Sequence, residues 1–250
     1  LPIFFLAPLA GVSDVPFRRI SSELGAGLTY VEMLSAAAIK YKNKRTFEMM
    51  ARHKSETILG VQVTGSNAIE VSEAVAVLDK QGFDTIDINM GCPVRKVVGS
   101  GCGSAILKEP ERVSETVKLS KKATTKPLTA KIRLGFTRDQ VNVQETVARL
   151  CAEDVDMFTI HGRTRSEGYS VPCDKAGIQL GIHSYKSQSN TKKIPTVGNG
   201  DVFCATSARQ MITETGCDAV MVSRGALGNP WVFKQILEQN HNHPNFTEWL

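Results

Sequence analysis

The segment DTIDINMGCPV, residues 84–94, alternates apolar and polar side chains until it reaches a glycine. Successive side chains of a β-strand point to opposite faces, so a strand here has one apolar face and one polar face. The tight turn that follows places Cys92 between a glycine and a proline. The pattern predicts a strand that presents polar groups, and then a thiol, at its carboxyl end. The apolar face carries Ile86, Ile88 and Met90, and the polar face carries Asp87 and Asn89.

Similar short apolar runs recur along the chain, with helical segments between them. Eight candidate strands alternate with helices, which is the order of a (β/α)8 TIM barrel. A doubly wound open sheet is the alternative, because alternation alone does not distinguish an open sheet from a closed one. The predicted strands span residues 3–7, 28–33, 58–63, 84–90, 128–134, 157–161, 195–199 and 218–223.

Several of the connecting helices have recognisable ends. Proline is favoured in the first turn of a helix, and serine is a common cap just before it. A glycine often follows the last residue. The predicted helices run from a Ser66 cap to Gln81, from Pro110 to about Ala123, from about Val141 to Cys151, and onward from residue 229.

Strand parity favours the barrel over the open sheet. The apolar strand faces would pack against outer helices, so the polar faces would point into the barrel. Barrel enzymes keep their active sites at the carboxyl ends of the strands. We therefore expect a ring of polar side chains at that mouth, formed by Glu32, Gln62, Asn89, Lys131, His161 and Asn199.

The composition is typical of a globular protein with a substantial core. The 250 residues are 42% hydrophobic and 22% charged. No apolar run reaches about 18 residues, so no membrane-spanning helix is expected. The opening LPIFFLAPLAG lacks a basic segment and is more typical of a first strand than of a signal peptide. It also lacks an initiating methionine, so we expect a trimmed or fragmentary chain.

The cysteines and the net charge indicate the cellular compartment and the kind of binding partner. Six cysteines without CxxC or zinc spacing favour reduced thiols in a cytoplasm and no metal site. The net charge of +5 suits a polyanionic partner without requiring one. Residues 40–54 hold six Lys/Arg against one Glu. This basic segment is either a solvated helix face or part of a phosphate footprint.

Several residues at the predicted mouth point to an anionic ligand. Lys131 inside a barrel loses hydration, unless an anion or hydrogen-bond acceptors compensate; alternatively it reaches solvent. His161 is either a satisfied core histidine or part of the site. The glycine-rich loops VGNGDV (197–202) and SRGALGNP (223–230) follow strands seven and eight, the usual phosphate site of such barrels. Arg163 and Arg165 are either solvated or hold a phosphate-rich substrate.

Cys92 is the candidate for chemistry. A free cysteine has a pKa of about 8.5, so its thiol is mostly protonated at neutral pH and can deliver a proton to a carbanion. The alternative is a small buried filler, although the flanking glycine and proline favour an exposed turn. Cys102 precedes an apolar helix start, and there the filler interpretation is preferred. A disulfide between the two cysteines is not expected in a reducing compartment.

These blocks together resemble the tRNA-dihydrouridine synthases, flavin enzymes that reduce uridine in tRNA, and are most similar to the bacterial B-type subgroup. The resemblance rests mainly on the segment IDINMGCPVRKVVGSGCGS, residues 86–104. The resemblance covers nearly the whole chain, in the same order. The other matching blocks are APLAGVSDVPFR, VQVTG, AKIRLG, HGRTR, GNGDV and VSRGALGNPWVF.

The resemblance implies FMN at the barrel mouth, with NADPH as its reductant. Hydride would pass from flavin N5 to uracil C6, and Cys92 would protonate C5 as general acid. Asn89 would position the base, which must be extruded from the folded tRNA. The resemblance implies these flavin contacts: Pro8, Leu9 and Ala10 along the flavin, Gln62, Lys131 and His161 at its ring, and Asn199, Gly200, Asp201, Ser223, Arg224 and Gly225 at the ribityl phosphate.

The chain departs from the family pattern in two places. Residues 171–193 do not match the family's usual continuation after HGRTRSEGYS, so their structure is left open. The family's C-terminal helical tRNA-binding domain is expected to be absent or truncated, with residues 1–240 forming the FMN-binding barrel and residues 241–250 starting a linker. Two alternatives stay open. One is an FMN barrel oxidoreductase acting on a small molecule, similar to dihydroorotate dehydrogenase. The other is a non-catalytic tRNA-binding barrel.

Overall fold

The computed structural model describes residues 4–187 and 193–238, and its strands form one parallel sheet. Along the sheet the order is β1-β9-β8-β7-β6-β5-β4-β2, with β3 also paired to β4. The strands are β1 (Phe4–Leu6), β2 (Thr29–Tyr30), β3 (Leu34–Ser35), β4 (Leu59–Thr64), β5 (Thr85–Asn89), β6 (Leu128–Arg133), β7 (Met157–His161), β8 (Thr196–Asn199) and β9 (Ala219–Val222).

The sheet closes on itself between β1 and β2. Phe5 and Leu28 form a parallel bridge, and Leu6 N donates to Leu28 O at 2.9 Å. Gly27 N donates to Phe4 O at 2.9 Å. These bonds leave no open edge between the first and second strands, so the predicted (β/α)8 barrel is confirmed and the doubly wound sheet is excluded.

The predicted strand over residues 28–33 is interrupted. Tyr30 pairs with Gly60, and Leu34 pairs with Val63. Four steps on this strand therefore match three steps on β4, which is the signature of a β-bulge. The bulge divides the second barrel strand into β2 and β3, so nine short strands fill the eight strand positions of the barrel.

Helices connect the strands and cover the outside of the barrel. Short 3₁₀ turns also occur at Gly103–Lys108, Arg138–Gln140 and Arg224–Ala226. The helices are α1 (Val15–Glu23), α2 (Ala36–Lys40), α3 (Lys44–Glu48), α4 (Ala68–Asp79), α5 (Arg95–Gly99), α6 (Pro110–Lys122), α7 (Val143–Ala152), α8 (Lys175–Lys186), α9 (Ala205–Thr215) and α10 (Val232–Glu238).

The helix ends follow the sequence signals, with corrections at the starts of α4 and α10. The cap of α4 is Asn67, whose side chain accepts from Glu70 N at 2.9 Å. Ser66 was predicted as the cap, but its hydroxyl donates to the Glu70 carboxylate instead. The predicted helix from residue 229 begins at Val232. In the stretch that the sequence left open, Asp174 caps α8 by accepting from Gly177 N at 2.9 Å.

Two apolar layers pack on the two sides of the strands. The outer layer joins the apolar strand faces to the helices, as parity predicted, and includes Ile86, Ile132 and Phe158. A smaller cluster fills the lower barrel interior, where Phe5, Leu28, Tyr30, Met157, Val197 and Met221 pack together. The upper interior is left to the polar side chains described below.

Among the described residues, no helix combines the length and apolar character needed to cross a membrane. The predicted domain boundary at residue 240 and the predicted linker at residues 241–250 lie outside the described residues.

Candidate active site at the barrel mouth

A cleft of about 240 Å³ opens at the carboxyl ends of the strands. A second, smaller cleft continues from it along the loops that follow β8 and β9. The two clefts bring together every residue predicted to contact flavin, together with Cys92 and Asn89. Those predicted flavin contacts are Pro8, Leu9, Ala10, Gln62, Lys131, His161, Asn199, Gly200, Asp201, Ser223, Arg224 and Gly225.

A larger groove, of about 740 Å³, lies on the outside of the barrel between the α2–α3 region and α4. Its lining is mostly apolar with a basic rim, and includes Ile39, Phe47 and Val77. None of the polar strand-end residues reaches it. We therefore place the active site in the mouth cleft, although the outer groove is larger.

A chain of side-chain hydrogen bonds crosses the barrel interior from Asp87 to the turn at Cys92. Gln62 Nε2 donates to Asp87 Oδ2 at 2.8 Å, and Asn89 Nδ2 donates to Gln62 Oε1 at 2.8 Å. Asn89 Oδ1 then accepts from Cys92 N at 2.9 Å and from Gly91 N at 3.1 Å. The side chain of Asn89 thus holds the turn that carries the thiol.

The Cys92 turn is also held from behind by a second glycine turn. The carbonyl of Cys92 accepts from Ser104 Oγ at 2.8 Å and from Ser104 N at 3.1 Å. Gly103 has φ +59°, and a Cβ there would lie 2.9 Å from the Cys92 Cβ. The second turn therefore packs directly against the first, in a backbone conformation that glycine adopts without strain.

Cys92 and Cys102 lie in different surroundings. Both are half-buried free thiols, but only Cys92 lines the cleft. The Cys102 thiol is 3.8 Å from the carbonyl of Ser100. This placement agrees with a structural role for Cys102.

Lys131 reaches across the barrel rather than into solvent. Its ammonium group donates to Asn199 Oδ1 at 3.0 Å, passing β7 to reach β8. Asn199 Nδ2 donates to Met221 O at 2.7 Å and to Ser223 Oγ at 3.0 Å. Burial lowers the pKa of Lys131 to about 8; the charge of Arg133 acts in the same direction and Asp87 in the opposite one.

His161 is neutral in this environment. It is 7% exposed, and burial lowers its pKa well below the usual value. Lys131, Arg133, Arg163 and Arg224 lower that pKa further. A guanidinium can only donate, so the 3.2 Å contact between Arg163 Nη1 and His161 Nε2 makes this nitrogen the acceptor. The four cations make the mouth a favourable place for an anion.

Asp201 joins the loops that follow β7, β8 and β9. Its carboxylate accepts from Arg163 Nη2 and from Arg224 Nη2, each at 2.6 Å. It also accepts from Cys173 N at 2.8 Å. Its φ of +51° is unusual for a residue other than glycine. The side chain of Asp201 therefore balances two arginines rather than facing an anion.

The two arginines of HGRTR lie in different environments. Arg163 is 1% exposed and donates to Val171 O at 2.7 Å as well as to Asp201, so it supports the loop from inside. Arg165 is half-buried, and its Cζ lies 5.2 Å from the centre of the Phe136 ring. Substrate binding by either arginine stays a prediction, and the burial of Arg163 leaves it no solvent-facing nitrogen to offer.

The loops after β8 and β9 fit a phosphate-bearing cofactor. A Cβ on Gly225 would lie 2.1 Å from Val202 O, and one on Gly200 would lie 2.6 Å from the Cys173 sulfur. The loops thus pack closely, and within the described residues the N–H groups of Gly200 and Asp201 donate to no acceptor. Free backbone N–H groups beside the Arg224 guanidinium suit a phosphate.

Several site residues were not predicted from the sequence. Arg133 lines the cleft and donates to Gly91 O at 2.7 Å; it shares a strand face with Lys131, and this parity was the signal available. Tyr169 also lines the cleft, with Arg224 Cζ 3.9 Å from its ring centre, and no local pattern marked it. Ser104 had no signal, because its contact with Cys92 depends on how two turns pack. Among the described residues, no group of side chains could hold a metal ion.

Comparison with known proteins agrees with this geometry. The family described as dihydrouridine synthase (Dus) matches residues 5–249. The chain belongs to this family. It is 38% identical over 232 residues to the tRNA-dihydrouridine synthase B of Pasteurella multocida, covering 92% of this chain and 67% of that protein. It is 37% identical over 239 residues to a probable tRNA-dihydrouridine synthase of Rhodobacter capsulatus, covering 94% of this chain and 71% of that protein.

A fungal relative extends the comparison. The chain is 36% identical over 245 residues to a Cryptococcus neoformans tRNA-dihydrouridine(47) synthase whose name specifies NAD(P)(+), covering 94% of this chain and 34% of that protein. The resemblance read from the sequence is thus confirmed, and with it membership of an oxidoreductase family. The chain spans about two thirds of its bacterial relatives and about one third of the fungal one.

The fold has a structural neighbour in histamine dehydrogenase from Rhizobium sp. 4-9. The TM-score is 0.67 at 13% identity, with 95% of this chain and 46% of that one covered. At this identity the likeness supports the barrel fold alone.

Proposed function

We propose that the chain is an FMN-dependent tRNA-dihydrouridine synthase that reduces uridine in tRNA to 5,6-dihydrouridine with NADPH as electron source. The observation that carries the proposal is the position of Cys92. Its half-buried thiol lines the same cleft as Lys131 and Asn199, and the smaller cleft that continues from it is lined by the loop residues proposed to hold a phosphate. Family membership supplies the reaction class, and the proposed tRNA substrate is the reason to expect a cytoplasmic location.

The cofactor-binding residues would act through charge and shape. FMN, when bound, supplies the hydride that the reduction requires. The N–H groups of Gly200 and Asp201, with Arg224, hold the phosphate end. Lys131 places a positive charge beside the ring system, where it stabilises negative charge that develops during reduction. Gln62 and Asn199 keep this region ordered through their bonds to Asn89 and Lys131.

The proposed proton donor is Cys92. Its turn is fixed at both ends, by Asn89 at the N–H and by Ser104 at the carbonyl, so the thiol has a defined place over the cleft. A general acid must lie within hydrogen-bond reach of the atom it protonates. Cys92 therefore donates its proton to C5 of the uracil ring as C6 is reduced.

The target uracil must leave the base stack of the folded tRNA to reach the Cys92 thiol. Extruding a base costs a few kcal/mol, which contacts in the pocket must offset. Asn89, Arg133 and Tyr169 line the cleft beside Cys92 and offer amide, guanidinium and aromatic contacts for a uracil. We propose that these residues hold the extruded base.

The testing experiment follows the flavin spectrum without oxygen. The purified protein is supplied with FMN, reduced with NADPH, and then mixed with unmodified tRNA. The proposal expects the flavin band to bleach with NADPH and to recover only when tRNA is added. Dihydrouridine in the recovered tRNA is then detected by mass spectrometry. Failure to retain FMN overturns the cofactor assignment.

Matched cysteine variants test the proton donor. Cys92→Ala should leave bleaching by NADPH unchanged and slow tRNA-dependent recovery by about 10²- to 10⁴-fold, the usual contribution of a general acid. Cys102→Ala removes a thiol from the supporting turn, outside the cleft, and should recover within about twofold of wild type. Equal rates for Cys92→Ala and wild type would favour a non-catalytic binding barrel. Recovery saturated by free uridine or orotate would favour a small-molecule reductase.

A further inference from the structure

Two cations share one aromatic ring on the rim of the barrel mouth. Lys108 Nζ lies 4.2 Å from the centre of the Phe136 ring, and Arg165 Cζ lies 5.2 Å from it. Lys108 ends the 3₁₀ turn that follows the Cys92 region, Phe136 follows β6, and Arg165 follows β7. Three separate connections therefore place two positive charges and a ring at one spot.

The two cations are not neutralised by neighbouring acids. Within the described chain, no carboxylate lies within ion-pair distance of Lys108 or Arg165. Glu109, next to Lys108, pairs with Arg112, and Glu167, near Arg165, pairs with Arg138. Among the residues that the structure describes, the buried Nε–H of Arg165 has no hydrogen-bond acceptor. Two like charges held on one ring are favourable only weakly by themselves, so the arrangement suits an added anion.

The patch lies directly beside the Cys92 turn. Arg133 donates from Nε to Gly91 O at 2.7 Å and from Nη1 to Thr164 O at 2.9 Å. Arg165 follows Thr164 and is fixed by a bond from its own N–H to Gly135 O at 3.0 Å. The Arg133 side chain thus connects the thiol-bearing turn to the residue that precedes Arg165.

We propose that Lys108, Phe136 and Arg165 form a clamp for the phosphodiester backbone of RNA, next to the nucleotide that enters the cleft. The Phe136 ring holds the two cations side by side, so that both can contact the phosphates of one RNA strand. The clamp supplies affinity without reading sequence, because phosphate contacts carry no base information. This inference rests on the proposed function, since the tRNA must present a nucleotide to the Cys92 cleft.

The test measures the binding of unmodified tRNA to the full chain by fluorescence anisotropy at a series of salt concentrations. The variant Lys108→Gln with Arg165→Gln should weaken binding by roughly 5- to 20-fold near 0.1 M salt. Its plot of log affinity against log salt should become shallower by about 1 to 2, because each lost phosphate contact removes about 0.7 to 0.9. Phe136→Leu, which keeps an apolar side chain, should weaken binding by a smaller factor of about 2 to 3.

The control removes two other exposed lysines. Lys118→Gln with Lys122→Gln makes the same charge change on the exposed face of α6, on the outside of the barrel, and should bind within about twofold of wild type. Equal loss in both double variants, or none in the Lys108 and Arg165 variant, overturns the clamp alone. Failure of the wild-type chain to bind tRNA overturns the clamp and the proposed function together.

Discussion

The buried carboxyl of Asp87 makes a pH-dependent contribution to stability that can be isolated from every other group. Asp87 is 1% exposed, and burial raises its pKa from 3.8 to about 6. Hydrogen bonds from Thr129 and Gln62 and the charge of Lys131 act in the opposite direction but do not cancel the effect of burial. The folded protein therefore binds a proton between about pH 4 and pH 6 that the unfolded chain does not bind.

The sign and size of the effect follow from this difference in proton binding. Stability from Asp87 is fully present below about pH 3.8 and is lost as the pH rises through about 6. A rise of about two pH units in the pKa, at about 1.4 kcal/mol each, corresponds to about 3 kcal/mol. About 2 kcal/mol of it is lost between pH 4 and pH 7.

The assay compares wild type with Asp87→Asn by urea unfolding at several pH values from 4 to 7. Asparagine does not titrate, and the other groups cancel in the difference. The free energy of unfolding of wild type minus that of the variant should fall by about 2 kcal/mol over this range. If this difference in the free energy of unfolding stays flat or rises with pH, the raised pKa of Asp87 is refuted. The half-buried Asp79 is the control, because a hydrogen bond from Thr124 lowers its pKa from 3.8. Its titration lies below the tested range, so the difference between wild type and Asp79→Asn should not fall between pH 4 and pH 7.

Three further outcomes test the packing around the site. Ser104→Ala removes the hydroxyl bonded to the Cys92 carbonyl, so tRNA-dependent flavin recovery should slow by about 3- to 10-fold while bleaching by NADPH is unchanged. Gly60→Ala should lower the free energy of unfolding by about 1 to 3 kcal/mol in urea titrations, because its Cβ would lie 2.4 Å from the Tyr30 ring. Burial raises the pKa of Cys173 to about 11, so its alkylation by iodoacetamide at pH 8, followed by peptide mass spectrometry, should be slow and rise steeply with pH.

Each of these changes has a control elsewhere in the chain. Ser120→Ala removes a buried hydroxyl in α6 that has no hydrogen-bond partner in the described part of the chain, and should leave the recovery rate unchanged. Gly82→Ala adds a Cβ that has no atom of the described residues within 4 Å, and should be neutral in stability. Hydrogen bonds from Ser207 lower the pKa of Cys204, so Cys204 should be alkylated faster than Cys173. If Ser120→Ala slows recovery as much as Ser104→Ala, or Gly82→Ala lowers stability as much as Gly60→Ala, the effect comes from general disruption. If Cys204 is alkylated as slowly as Cys173, the pKa of Cys173 does not explain its slow reaction.

Strand parity predicted the barrel and the positions of the polar cleft residues on β4 to β8, because a period of two is a local property of the chain. It correctly placed Gln62, Lys131 and His161 on the inner face, and all three line the cleft. It was wrong at the second strand, because the bulge after Tyr30 depends on the register with β4. Met33 lines the cleft there, whereas Glu32, predicted in the polar ring, does not line it and accepts from Gly11 N. No sequence rule for a single strand contains that information.

The remaining misses share a cause of the same kind. Arg163 was expected at a solvent-facing mouth, yet it is buried because Asp201 and Val171 approach it from other loops. Arg165 keeps its place at the rim because Phe136 arrives from the loop after β6. The direction of a long side chain is set by partners far away in sequence, so local patterns identify the residue type and position but not what the guanidinium binds.

The two glycine turns of residues 91–104 have different tasks, and the structure explains why both are needed. The first turn carries Cys92 over the cleft, but a turn at a strand end is held by few bonds of its own. Ser104 supplies two bonds to the Cys92 carbonyl, and Gly103 lets the second turn approach the first closely enough to make them. Thr64 ties the arrangement to β4, accepting from Gly103 N at 3.1 Å and donating to Asn89 O at 3.2 Å. The thiol is therefore placed by a rigid double layer rather than by a mobile loop, as delivery of a proton to one carbon atom requires.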